Sequence, residues 1–286
     1  MNSLALALVL IAAVLHATWN LLAKRASGGA PFVFLYFVVS AIVYFPVALA
    51  VWLWHPRTFD TVDIIFMIGN GLLHTIYFLL LQRGYRSGDL SLVYPLARGT
   101  GPLLASIAAI SFFGERPSPV AMGGIAAIVL GVFLVSGIHR VRDPQTTPSI
   151  FFGISTGVLI AAYTLWDKHA MSVLLLNPIL YDWGGNLVRT ILMAPIAIKR
   201  RDEVAAAWRQ NRMEAIGISI LSPLAYLLVL WALTWTPVSY VAPARELSIL
   251  FGTIFGITLF KERQRAPQRA GAAALMVVGI AALAHG

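Results

Sequence analysis

Long apolar stretches and short polar connections alternate ten times along this chain. Runs of about 20 apolar residues have the length a helix needs to cross a bilayer. They predict spanning helices at 3–23, 31–54, 62–82, 89–113, 119–138, 149–168, 176–198, 214–234, 237–260 and 267–285. Most connections are short. The exception, 199–213, contains KRRDEVAAAWRQNR, and its cations around Trp208 predict a short helix lying at the interface.

One stretch of the pattern occurs twice. LVYPLARGTGPLLASIAAISFFGER, from Leu92 to Arg116, and SYVAPARELSILFGTIFGITLFKER, from Ser239 to Arg263, lie at a constant offset of 147. Without gaps they agree at eight positions: Ala97/Ala244, Arg98/Arg245, Leu103/Leu250, Ile107/Ile254, Ile110/Ile257, Phe113/Phe260, Glu115/Glu262 and Arg116/Arg263. Chance in so apolar a composition gives about two. Past one inserted residue the echo continues, Pro119, Gly123 and Gly131 answering to Pro267, Gly271 and Gly279, and Trp19-Asn20 is echoed by Trp166-Asp167. The chain is therefore expected to hold two five-helix repeats, 1–140 and 149–286.

Composition narrows the class. With 59% hydrophobic residues, 12% charged and a mean hydropathy of +0.80, the chain departs from soluble domains, where about 25% of residues are charged. An all-α polytopic membrane protein is implied, and the +9 net charge belongs to its loops rather than to nucleic-acid binding. The absence of cysteine excludes disulfides, thiolate metal sites and cysteine catalysis. The apolar segment 1–15 lacks the basic start of a signal peptide, and the Trp19/Trp166 echo marks it as a retained first helix.

The loop charges test the alternation. Counted with the span ends beside them, odd-numbered connections carry 15 of the 21 Lys and Arg, even-numbered ones carry Arg57, Arg116 and Lys168, and Arg98, Arg189 and Arg245 fall well within spans. Positive residues are retained inside, so the odd connections are expected in the cytoplasm and both termini outside the plasma (inner) membrane. Five helices per repeat then insert the two halves with opposite orientation, and inverted repeats of this kind place a binding site near the midplane between them.

Arg98 and Arg245 approach that plane from opposite faces. An ionised side chain at membrane depth costs roughly 2.5–3.5 kcal/mol on insertion scales and faces a cavity, a partner or a pathway. Guanidinium groups fork onto carboxylate and phosphate oxygens, which makes the pair the leading candidate for an anionic group on a substrate. Structural ties to carbonyls or acids are the alternative. Pro95, Pro102 and Pro243 remove backbone donors beside the arginines, so helices four and nine are expected to kink or unwind there. Gly252 and Gly256, with Ala105 and Ala109 at the equivalent positions, supply a small-residue face for close helix packing.

At this point the sequence resembles the drug/metabolite transporter superfamily, in its ten-helix EamA type. The resemblance rests on the tandem repeat, on His16-Ala17-Thr18-Trp19-Asn20 at the end of helix one, and on the Glu115-Arg116 and Glu262-Arg263 endings followed by glycine-bearing helices. It implies a metabolite or amino-acid carrier, often an exporter, with a central cavity lined by both halves and no cofactor. Four-helix relatives rely on a carboxylate in the first helix, whereas no Asp or Glu precedes Asp60 here. That departure argues against cationic drugs as cargo.

Around the arginines, Glu246 follows Arg245 and has Gly99 as its counterpart, so a single acid breaks the symmetry. It is a candidate for substrate binding or proton coupling, with an ion pair locking helix nine as the alternative. Tyr94, Thr100, Ser239 and Ser248 flank the pair. His74 and Tyr77 share a face of helix three, and Trp19, Asn20, Tyr163, Trp166 and Tyr226 complete the candidate substrate-binding set, although aromatic residues near helix ends also form interfacial belts. Arg189 with Asn186 either joins the cavity or ties helices together.

The expected function is secondary transport of a small anionic or zwitterionic metabolite by alternating access, as exporter or exchanger. No Gly-x-x-x-x-Gly-Lys-Ser/Thr run is present, so energy is expected from gradients, protons included, or from exchange. The competing classes are an intramembrane enzyme, for which neither His-Glu-x-x-His nor paired intramembrane aspartates are found, and a non-transporting membrane subunit.

Overall fold

The computed structural model describes residues 1–26, 29–87, 90–136, 147–252 and 266–286. These form ten helices: α1 (Ser3–Ala26), α2 (Ala30–Trp54), α3 (Thr61–Ser87), α4 (Leu90–Phe112), α5 (Pro119–Ser136), α6 (Thr147–Ser172), α7 (Pro178–Lys199), α8 (Arg201–Trp235), α9 (Val238–Arg245) and α10 (Ala266–His285). A further helical stretch covers 247–252. Glu262, Arg263 and Gly256 lie outside the described residues.

Local chemistry sets the helix boundaries. Pro178 opens α7 behind Asn177, whose Oδ1 accepts from the amide of Ile179 at 3.0 Å, so one otherwise orphaned donor is satisfied. Pro119 opens α5 in the same way, with Ser118 Oγ accepting from Ala121 N at 3.1 Å. At the end of α4, Gly114 takes φ +67° and Glu115 N donates to Ala109 O at 3.2 Å. This left-handed closure turns the chain and delivers Glu115 back toward the bundle.

The short helix expected ahead of the eighth span is present: α8 consists of two helices that meet at a kink at Asn211 (φ −130°, ψ 31°). Ala207 in its first part packs on the cluster of Ala26, Phe32, Ala215 and Ile218. That seat holds the segment against the bundle end. The expected unwinding beside the arginines occurs in only one repeat: α4 runs unbroken through Pro102, whereas α9 stops after eight residues. There Glu246 N reaches Pro243 O at 3.0 Å and Ile249 N reaches Glu246 O at 2.9 Å. These tight turns replace the helical ladder just past Pro243.

Interhelical contacts obey a pseudo-two-fold exchange of the two five-helix repeats. α1 packs on α8 as α6 packs on α3; α2 packs on α8 as α7 packs on α3; α4 packs on α6 as α9 packs on α1. The pairs α2·α7, α4·α9 and α5·α10 bring each helix against its own counterpart. α5 and α10 approach backbone to backbone, because a Cβ at Gly124 would lie 2.7 Å from Gly279 O and one at Gly279 would lie 2.8 Å from Gly124 O. α1, α2, α3, α6 and α8 each contain an apolar stretch long enough to cross a bilayer. The protein is a multi-pass helical membrane protein in which α4 and α9 meet across the two repeats.

Candidate functional site: a buried arginine pair between the repeats

α4 and the α9 break place two guanidinium groups and one carboxylate in the interior. Arg98 is 4% exposed, Arg245 6% and Glu246 1%. Arg98 Nε lies 3.0 Å from Glu246 Oε2, and Arg98 Nη2 donates to Ser248 Oγ at 2.9 Å. Arg245 Nη2 donates to Tyr163 OH at 3.2 Å, with its guanidinium carbon 5.7 Å from the centre of the Tyr163 ring. The Arg98 carbon lies 6.0 Å from the Tyr94 ring centre. Both rings offer their faces to a cation.

Much of the bonding capacity here remains unused. Among the described residues, Arg98 Nε, Arg245 Nε and both carboxylate oxygens of Glu246 are buried without a hydrogen-bond partner. The 3.0 Å contact is therefore a close charge pair whose donor is not aligned with its acceptor. Two guanidiniums against one carboxylate leave one positive charge uncompensated among these three groups. A buried charge of that kind calls for a counter-ion or a polar ligand.

An aromatic wall adjoins the charges. His74 and Tyr163 have ring centres 4.3 Å apart, Tyr77 and Tyr163 5.8 Å, and His74 and Tyr226 5.3 Å. His74 Nδ1 lies 2.9 Å from Asn70 O, so its own helix fixes the ring. His74, Tyr77, Tyr163 and Tyr226 thus come together beside Arg245.

Beyond this wall is a cluster that sequence reasoning missed. Asp167 is 1% exposed. It accepts from Tyr226 OH at 2.5 Å, Tyr181 OH at 2.8 Å and Asn70 Nδ2 at 3.0 Å. These partners come from α8, α7 and α3, so one carboxylate ties four helices. The available signal was the equivalence of Asp167 with Asn20, an acid at a repeated position. Arg189, left open by the sequence, pairs with Asp182 at 2.7 Å, and Asn186 Nδ2 donates to Phe37 O at 3.0 Å. The ion pair lies within α7, while the Asn186 bond and the Phe37 ring 5.6 Å from the Arg189 guanidinium tie α7 to α2.

The remaining candidates lie elsewhere. Trp19 meets His16 edge-on at 4.8 Å and packs on the cluster around Phe32 and Ile218, and Asn20 Nδ2 donates to His16 O of its own helix at 2.7 Å. Trp166 stacks on Phe66 at 4.2 Å and donates to Phe66 O at 2.9 Å, pinning α6 to α3. Ala105 and Ala109 are fully buried, whereas a Cβ on Gly252 would meet no described atom within 4 Å. A cavity of about 460 Å³ lies away from the arginines, at the bundle end lined by Met1, Arg116, Trp235, Thr236, Pro237 and Tyr240.

Residues 3–137 and 147–284 each match the EamA-like transporter family. No curated protein matches the chain. A crystal structure of a protein 16% identical in sequence superposes with a TM-score of 0.77, covering 99% of this chain and 96% of the other, and shows the same fold. Two matched segments that together span nearly the whole chain, on a two-fold helical bundle, make this protein a member of the EamA-like transporter family, a membrane transporter of the drug/metabolite type.

Proposed function

We propose that the protein is a secondary carrier for a small anionic or zwitterionic metabolite, such as an amino acid, carboxylate or phosphonate. It moves this cargo across the plasma membrane by alternating access, as exporter or exchanger. The observation that carries the reading is the surplus guanidinium. Among the described residues, Arg98 has Glu246 as its close counter-charge at 3.0 Å, while the hydrogen bond and ring contact of Arg245 are with the neutral Tyr163. A substrate carboxylate or phosphonate supplies the missing charge by pairing with the Arg245 fork. For a zwitterion, the free oxygens of Glu246 receive the ammonium group.

The pseudo-two-fold packing supports alternating access, because two repeats related in this way adopt exchanged conformations at similar energy. Proton coupling belongs to the same proposal, with Glu246 and His74 as the titratable groups flanking Arg245. The experiment is counterflow in liposomes loaded with each compound class. A carrier exchanges labelled substrate unchanged, an enzyme returns it modified, and a non-transporting subunit does neither. Exchange that persists undiminished in Arg245→Gln removes the basis for the reading.

A further inference from the structure

Glu115 lies at the bundle end that carries the N terminus, outside the arginine site, and both its carboxylate oxygens cross to the other repeat. Oε1 accepts from Val238 N at 2.7 Å and Oε2 from Ser239 N at 2.9 Å. These are the first two amides of α9, which have no partners within their own helix. An anion over them also meets the positive end of the helix dipole. Pro237, the residue before α9, offers no side-chain cap of its own. The capping group comes instead from more than a hundred residues away.

A second charge holds the other side of the same corner. Lys168 Nζ, at the end of α6, donates to Leu233 O at 2.9 Å and to Thr236 O at 3.0 Å. The last carbonyls of α8 and the first amides of α9 are thus gripped by a cation from one repeat and an anion from the other. The cavity of about 460 Å³ lies against this corner, touching Thr236, Pro237 and Tyr240, so the corner has free space beside it. Beneath it α9 is short and bounded. Eight residues, about 12 Å of helix, separate the grip on Val238 from Arg245 and the break at Glu246.

We propose that Glu115 is a gating residue: its carboxylate latches the N-terminal end of α9 across the repeat interface, and its release opens that end of the transport path while moving Arg245. The proposal rests on the alternating-access reading above. α9 is the lever, fixed at one end by Glu115 and ending at the other in the substrate-facing guanidinium. The break at Glu246 uncouples it from the stretch 247–252, so it pivots without dragging the rest of the ninth span. Glu115 acts through the position of α9 and touches no substrate.

The chain contains no cysteine, so single reporters need no altered background. Ser239→Cys places a thiol directly under the latch at a fully buried position, and Ala215→Cys places one at the opposite end, also fully buried. Maleimide labelling rates of the purified, detergent-solubilised protein are compared with and without Glu115→Gln, and with Glu115→Asp. The latch predicts labelling of Cys at 239 at least several-fold faster in Glu115→Gln, with part of the protection restored by Glu115→Asp. Labelling at 215 stays equal or falls, because opening one end closes the other. Unchanged labelling at 239 overturns the proposal, and so does faster labelling at both ends, which is general loosening. Should Glu115→Gln fail to fold, Lys168→Met breaks the other half of the grip and carries the same expectations. No substrate enters the assay, so its outcome is independent of whether Arg245 binds an anion.

Discussion

Arg98 on α4 and Glu246 at the end of α9 meet at 3.0 Å across the repeat interface, almost completely buried, without forming an aligned hydrogen bond. The pair neutralises one of two guanidiniums in the centre of the bundle and leaves the carboxylate oxygens open to a further donor. Removing one member of a buried pair strands the other, at a cost of about 3–5 kcal/mol. Glu246→Met is therefore expected to lower unfolding stability by that order, because two guanidiniums then face no acid. The double variant Arg98→Met, Glu246→Met is expected to recover a large part of the loss. A double-mutant cycle on denaturant unfolding in detergent checks this.

The Asp167 cluster gives a separate expectation. Tyr226→Phe and Tyr181→Phe each remove one donor from a buried carboxylate, at about 1–3 kcal/mol each. Tyr226→Phe also removes the acceptor for Asn70 Nδ2 at 2.8 Å, so it is the costlier of the two. Thermal unfolding of the two variants ranks them, and equal stability with wild type would mean that the cluster contributes nothing.

Legibility from the sequence divides along the same line. Arg98 and Arg245 stood out because a charge in an apolar run is conspicuous and the offset of 147 showed it twice. Pro243 marked the ninth helix for a break, which falls three residues past it, at Glu246. Pro102 did not break α4, because a proline removes a donor without dictating whether its neighbours hold the helix. Asp167 was passed over because its partners Asn70, Tyr181 and Tyr226 lie on three other helices and only the packed bundle assembles them. Trp19 and Trp166 read as substrate or belt residues; Trp19 packs on residues of α2 and α8, and Trp166 on Phe66 of α3. The Glu115-Arg116 ending served as a mark of the repeat, while the role of its carboxylate on α9 needed the three-dimensional turn at Gly114.

Glycines at helix crossings differ sharply from those facing open space. A Cβ at Gly185 would lie 2.1 Å from Asn70 Oδ1, and one at Gly279 would strike the backbone of α5, whereas one at Gly123 meets nothing within 4 Å. Gly185→Ala and Gly279→Ala are expected to destabilise by about 1–3 kcal/mol through overpacking. Gly123→Ala should fall near wild type or slightly above it. Melting temperatures of the three purified variants test the order.

The orientation proposed from the loop charges, with both termini outside, has a direct test. Single cysteines at His55 and at Gln210, both exposed, should label differently in intact cells, with His55→Cys reached by an impermeant maleimide and Gln210→Cys reached only after lysis. The reverse pattern would place the termini in the cytoplasm and invert the assignment of the two bundle ends.

The central claim is that the surplus guanidinium of Arg245 receives an anionic group. Its most direct test is the melting temperature of the purified protein against a panel of amino acids, carboxylates, phosphates and phosphonates, for wild type and Arg245→Gln. A ligand of the native state present at a hundred times its dissociation constant adds about 2.7 kcal/mol. The account predicts stabilisation by one anionic class that disappears in Arg245→Gln. Stabilisation only by neutral or cationic compounds, or an anion effect that survives the substitution, would contradict it.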